Sequence, residues 1–364
     1  MTTALVFAAI LFTAVLVHEA AHFLAARSVG LPVRAFSVGF GPVLWRRAWR
    51  GTEWRLSAVP LGGYVDLPGM APEEGSDGAL RHATHGFARL ALPAKLWVLI
   101  AGVIANFVLG AVLLATAVTL EPYYRTITTG QEPIVHGTIV ADVVPGSHAE
   151  TLGLRSGDRI VEIAGVADPV PADAVEAIQG VDGTLTLRLR DEAGAERTAS
   201  LPWPPADAAE GETPLLGVQL APADVEAVAF PVALVESGAF AVRAVPEMVS
   251  GFVRGFGNVL SGRGSEEVAG PVGMVGMVSE ASRVGIAPVL LLASLINFSL
   301  AVFNLLPIPG LDGGRMLIST VVAVRGRPFG PGREEIVHFL GVMAVLALIV
   351  LITAQELSGM LAPG

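Results

Sequence analysis

Four apolar runs, each long enough to cross a bilayer, constrain this chain more than any other feature. A membrane helix needs about 20 mainly apolar residues. The runs from about Ala4 to Ala26, Leu96 to Leu120, Ile286 to Leu306 and Ile336 to Thr353 approach or exceed that length, and the last three carry no charged residue. Composition agrees: 52% hydrophobic and only 15% charged residues, with a mean hydropathy of +0.63, are too apolar for an ordinary soluble domain of 364 residues. The first run has no basic residue before it, whereas a cleaved signal peptide carries a positive n-region, so it reads as a retained span rather than a leader. The expected fold class is a polytopic α-helical membrane protein with four transmembrane helices.

Arg and Lys placement orients the spans. Arg27, Arg34, Arg46, Arg47, Arg50, Arg55, Arg81, Arg89 and Lys95 lie between spans one and two, and Arg315, Arg325, Arg327 and Arg333 between spans three and four. Both loops are expected in the cytoplasm, with both termini and the acidic middle of the chain outside. A net charge of −10 argues against nucleic acid as a partner, because phosphates demand a basic surface. The chain has no cysteine, so a metal has only His, Asp, Glu or water as ligands.

Within the first loop, Phe36 to Gly41 and Trp54 to Val59 read as short strands, and Pro60 to Val65 mixes turn and apolar residues. A β-rich element at the membrane surface is expected; a plain surface hairpin is the alternative. The middle region alternates strand-like runs with Pro145-Gly146 and Gly157-Asp158 turns. A short helix at 172–178 and a strand at 184–189 complete a small α+β domain. Over about 80 residues it resembles a PDZ domain, most clearly in Gly153-Leu154 followed by Ser156-Gly157-Asp158-Arg159-Ile160. Such a domain captures an extended chain or C-terminus by strand addition; a spacer role is the alternative. The expected organisation is a first membrane region at 1–121, the PDZ domain at 122–225, an amphipathic interfacial linker at 226–283 and a second membrane region at 284–364.

The chemistry concentrates in span one, at His18-Glu19-Ala20-Ala21-His22. Histidines four apart share one helix face and can bind one Zn²⁺, while the intervening Glu19 is placed to act as general base. Ionisable groups at membrane depth are costly and mark function, although histidines satisfied by neighbouring helices remain the bland reading. A catalytic zinc takes three protein ligands. The best third candidate is Asp312, where Pro307, Pro309 and Gly310 interrupt the end of span three. The charge-derived topology puts His18, His22 and Asp312 at the same cytoplasmic depth without using either motif.

HExxH in the first span, a PDZ module after the second and Asn304-x-x-Pro307-x-x-x-Leu311-Asp312-Gly313 after the third together resemble the site-2 protease family of intramembrane metalloproteases. The likeness is to its bacterial members that regulate sigma factors, and it spans nearly the whole chain. It implies one Zn²⁺ held by His18, His22 and Asp312, with Glu19 as catalytic base. It implies a substrate-presenting β element that includes Gly39, Gly41, Gly62 and Gly63. Asn106, in Gly102-x-x-x-Asn106, corresponds to a family element that stabilises the oxyanion or orients substrate, with interhelical glue as its alternative; Asn304 is implied to pair with the substrate backbone. Val103 and Arg315 depart from the common Pro and His of the family. The implied partner is a single-span membrane protein, an anti-sigma factor already trimmed by another protease, in the inner membrane of a bacterium. The competing reading is a non-catalytic membrane scaffold whose PDZ module binds peptides.

Overall fold

The computed structural model describes residues 2–71, 73–74, 80–205, 215–262, 269–330 and 332–361. In chain order the elements are α1 (Thr2–Ser28), β1 (Ala35–Trp49), β2 (Thr52–Asp66), two-residue strands β3 (Glu73–Glu74) and β4 (Leu80–Arg81), α2 (Leu92–Leu120) and α3 (Arg125–Thr129). Next come β5 (Val135–Val143), α4 (His148–Thr151), β6 (Arg159–Ile163), β7 (Val166–Ala167), α5 (Pro171–Gln179), β8 (Gly183–Arg190), β9 (Glu196–Trp203) and β10 (Val218–Val225). Five helices follow: α6 (Phe230–Leu260), α7 (Pro271–Val284), α8 (Ile286–Leu305), α9 (Asp312–Arg325) and α10 (Arg333–Leu361). The chain divides into two compact units, 1–121 with 230–364, and 122–229.

Four helices of the first unit, Thr3–Ser28, Leu92–Leu120, Ile286–Leu305 and Arg333–Ser358, are long and apolar enough to cross a membrane, as the sequence predicts. The fourth extends beyond Ile336 to Thr353 because polar ends, Arg333-Glu334-Glu335 and Gln355-Glu356, continue the same helix. α1 contains neither Gly nor Pro and stops where Gly30 takes φ +75°. There Gly30 N–H donates to Arg27 O and Leu31 N–H to Ala26 O, which satisfies two carbonyls that the helix end would leave unpaired. α2 is the hub of the unit, packing against α1, α6, α8 and α9. Along α8, Phe298 meets Phe107 of α2 and Phe240 of α6, while Phe303 meets Phe252 and Phe256 of α6. The linker region is therefore a 31-residue helix packed on the spans, followed by α7; residues 263–268 between them lie outside the described set. The N-terminus of α7 is capped from α10, where the Glu356 carboxylate accepts from Gly270 N–H (2.7 Å), Val272 N–H (3.2 Å) and Gly273 N–H (3.2 Å). This satisfies donors that begin every helix without a partner and sets a negative charge at the positive end of its dipole.

β1 and β2 are longer than the expected strands because each bends and pairs twice. Trp49 pairs with Thr52 through Val43 with Ser57 around a turn at Arg50 (φ +49°) and Gly51 (φ +78°), the left-handed pair that a two-residue hairpin demands. Phe36 pairs with both Trp54 and Val65, so residues 35–38 lie between 53–56 and 63–66. The bend is built on Gly39 and Gly41, both at positive φ, opposite Gly62, whose missing side chain leaves room for the Phe40 ring. The inner half of β1 is buried and everything from Phe40 to Trp49 is exposed.

The second unit is a sheet in the order β10-β5-β6-β8-β9, with β7 paired to β6. Strict alternation along β8 turns Leu185, Leu187 and Leu189 inward, where they join Val140, Ile160, Ile163 and Trp203 in the core. The Ser156-Gly157-Asp158 turn is fixed by the buried Asp158 carboxylate, which accepts from Arg155 N–H (2.7 Å) and pairs with the Arg197 guanidinium. Among the described residues, β10 forms one edge of this sheet and pairs only with β5.

Candidate metal centre

His18 and His22 project from the same face of α1, one turn apart, and Asp312 opens α9. The first unit brings all three together: His18 Nε2 and His22 Nε2 are 3.1 Å apart, and each is 3.2 Å from Asp312 Oδ2. Tetrahedral zinc with ligand bonds of about 2.0 Å separates its ligand atoms by about 3.3 Å, so this nearly equilateral triangle of two imidazoles and a carboxylate fits the ion. Each of the three side chains is at least 84% buried, which is costly for such groups unless an ion or another partner compensates. Among the described residues they form the one group of three His, Cys, Asp or Glu side chains arranged to hold a metal.

One face of α2 holds the histidines. Val98 O accepts a hydrogen bond from His22 Nδ1 at 2.7 Å, which fixes the tautomer and leaves the Nε2 lone pair free for a metal. One turn later, a Cβ on Gly102 would stand 2.5 Å from His22 Nε2 and 2.6 Å from His18 Cε1. Only glycine lets the α2 backbone approach this closely. Asn106 follows on the same face, 1% exposed, its Oδ1 lacking a partner among the described residues. Asn304, near the end of α8, donates an amide N–H to Leu300 O within the helix, at 3.0 Å. Buried Asn297 on α8 likewise donates to Ala293 O, and its Oδ1 has no partner among the described residues.

Glu19, next to His18 on α1, lies close to both histidines and Asp312 and also adjoins β2. A Cβ on Gly63 would lie 3.2 Å from Glu19 Cγ and 2.7 Å from Ser37 O, and the Val65 backbone hydrogen-bonds the Glu19 carboxylate. Of the four β-element glycines named from the sequence, Gly63 thus adjoins Glu19, while Gly39, Gly41 and Gly62 shape the bend.

Asp312 is positioned by a tightly wound loop. Pro307 prevents α8 from continuing, and the chain returns so closely that Cβ atoms on Gly313 and Gly314 would come within 2.3 Å of the Leu305, Leu306 and Ile308 carbonyls. α10 braces the loop from behind. Gly310 N–H donates to His338 Nδ1 at 2.8 Å, and Gly341 lies against Pro309 O with no room for a side chain. Beside it, Arg315, Ser319, Glu334, Glu335 and His338 line a polar cavity of about 180 Å³. Burial pulls the Arg315 guanidinium below its usual pKa, against the opposing pull of Asp312, Glu335 and Glu334. Sequence reasoning did not single out His338, although a histidine in an otherwise apolar span is the signal that could have found it. His338→Ala removes the acceptor for Gly310 and is expected to weaken metal affinity about 10- to 100-fold, the range for loss of an outer-shell partner. Zinc titration of the purified protein checks this, and unchanged affinity would remove His338 from the site.

Residues 6–348 match the model of the family described as peptidase family M50. Among curated proteins, the chain is similar to a candidate zinc metalloprotease of Agrobacterium fabrum, 32% identical over 98% of this chain and 95% of that protein. It is also similar to one of Rhizobium meliloti, 33% identical over 92% of this chain and 91% of that protein. A chloroplastic membrane metalloprotease of Arabidopsis thaliana is 31% identical over 93% of this chain and 75% of that protein. With four apolar helices and a ligand set that suits zinc, the chain is a multi-pass membrane protein and a zinc metalloprotease, and it belongs to peptidase family M50.

Proposed function

We propose that the enzyme cleaves single-span membrane proteins within or beside the bilayer, with His18, His22 and Asp312 holding one zinc ion and Glu19 as general base. The observation that carries this reading is the position of Glu19: it lies on the helix that bears both histidines, against the strand that contains Gly63 and Val65. When bound, zinc supplies Lewis-acid chemistry, polarising the scissile carbonyl and lowering the pKa of a water molecule. Glu19 accepts the proton that this water releases on attack and delivers it to the departing amide nitrogen. Asn106 donates its amide N–H to the developing oxyanion. A substrate helix hides its amides in its own hydrogen bonds, so it must unwind before it reaches these groups. Pairing alongside β2 at residues 62–66 replaces the lost bonds, and Gly63 leaves the backbone room to approach Glu19. Asn304 hydrogen-bonds the unwound substrate backbone.

The second unit acts as a PDZ domain. Its support is the Ser156-Gly157-Asp158-Arg159-Ile160 turn and the edge strand β10, whose outer side pairs with no other described strand and suits an incoming chain. Located outside the cell membrane, with the zinc site near the cytoplasmic face, it admits only substrates already shortened by another protease. An anti-sigma factor spanning the bacterial inner membrane once has the required form.

The test is reconstitution of the full chain in proteoliposomes with a single-span anti-sigma factor, either intact or with its outer domain removed, and identification of the cleaved bond by mass spectrometry of both fragments. Cleavage of the shortened form within its apolar segment is expected. Cleavage confined to segments outside the membrane would overturn the intramembrane reading, and equal cleavage of both forms would remove the filtering role.

A further inference from the structure

Arg315 occupies a place that local physics disfavours. It lies in the first turn of α9, three residues after Asp312, where the backbone N–H groups already present positive charge and a cation gains nothing from the helix. With Ser319, Glu334, Glu335 and His338 it lines the polar cavity behind the Asp312 loop, whose other walls include Met70 and Phe87. Burial there disfavours its charge, and the carboxylates that oppose this are, in order of strength, Asp312, Glu335 and Glu334. Among the described residues none of the three meets it at ion-pair distance, so the cation is shared between the loop that carries Asp312 and the first turn of α10.

The two acids have a local reason for their place. Glu334 and Glu335 open α10, where negative charge complements the helix dipole. Lys95, in the first turn of α2, also faces Glu334 and lies 5.8 Å from the Phe87 ring centroid. Cations from α2 and α9 thus meet two acids at one end of α10. One turn further along, His338 accepts from Gly310 N–H, and beyond it Gly341 lies against Pro309 O. The charges therefore hold the stretch of α10 that braces the loop bearing Asp312.

We propose that Arg315 is a positioning residue of the metal centre: facing Asp312 on one side and Glu334 and Glu335 on the other, it fastens α10 onto the metal loop and so fixes where the Asp312 carboxylate stands relative to His18 and His22. The inference rests on the reading of Asp312 as a ligand. Coulomb's law alone assigns Arg315 the opposite effect, because a cation beside the site repels a divalent ion. The sign of the change on its removal therefore separates a positioning role from a mere neighbouring charge. The test is titration of the purified full chain with Co²⁺, followed by its visible absorption. Arg315→Gln is expected to weaken Co²⁺ binding about 10- to 100-fold, the range for loss of an outer-shell partner, and to shift the spectrum. Binding that is unchanged or tighter would overturn the proposal. A misfolded variant would also bind weakly, so a charge exchange supplies the second measurement. Arg315→Glu combined with Glu335→Arg is expected to bind more tightly than Arg315→Glu alone, although it adds a cation near the site; equal or weaker binding by the pair would overturn the proposal as well. Asp312→Asn separates the inference from the reading beneath it. Wild-type binding there would overturn both, whereas loss there with wild-type binding by Arg315→Gln would overturn the positioning role alone.

Discussion

Glu19→Gln is expected to lower turnover of a single-span substrate by about 10²- to 10⁴-fold, the usual contribution of a general base, while zinc stays at its wild-type content. The two effects separate because the Glu19 carboxylate faces Gly63 and Val65, whereas the ligand atoms converge from His18, His22 and Asp312. Gln has the same shape and can accept the same backbone hydrogen bond, but it cannot take a proton from water. Turnover is measured in proteoliposomes and zinc by elemental analysis of the same preparation. Wild-type turnover would discard Glu19 as the base, and loss of zinc would make it a ligand.

The second large effect is expected at a residue with no side chain. In Gly102→Val, the new Cβ alone would lie 2.5 to 2.8 Å from His22 Nε2 and from His18 Cε1 and Nδ1, and the two added methyl groups make the overlap worse. His22 cannot swing aside without giving up its 2.7 Å hydrogen bond to Val98 O. Zinc content should fall from one ion per chain to a small residue, and activity with it. The comparison is Gly110→Ala, two turns further along the same face of α2, where a Cβ would meet the Phe298 ring at 2.5 Å. Overpacking there should cost about 1–3 kcal/mol of stability without touching the metal. Zinc retained in Gly102→Val would mean that the histidines are free to move.

The spans were legible because length and hydropathy are local properties, and a helix starved of water must satisfy its own backbone. His18 and His22 were legible because a spacing of four fixes a shared face whatever surrounds it. Asp312 could be matched to them through charge placement, which reports depth but not distance. What stayed hidden were contacts made by groups that carry no chemical label. Gly341 reads as one of 42 glycines until the loop beside it is seen, and although the resemblance named Gly102 and Gly63, nothing in the sequence showed that they lie against the histidine rings and Glu19. β1 and β2 exceeded their expected lengths because turn residues such as Gly39, Gly41 and Gly62, which look like strand breakers, serve as bends within paired strands. α6 was ambiguous because Pro246 and scattered charges interrupt a helix whose apolar face is stabilised by aromatic contacts with α8. Glu356, distant in sequence from the helix that it caps, carried no signal at all.

α10 supplies none of the groups assigned to zinc or to proton transfer, yet it secures the loop that bears Asp312 through His338 and Gly341, and caps α7 through Glu356. Ribosomes make a chain from its N-terminus, so His18, Glu19, His22 and Asp312 all leave the ribosome before these fastenings exist. The nascent chain therefore carries all four of these side chains while the loop that bears Asp312 still lacks the contacts with His338 and Gly341, which α10 adds last.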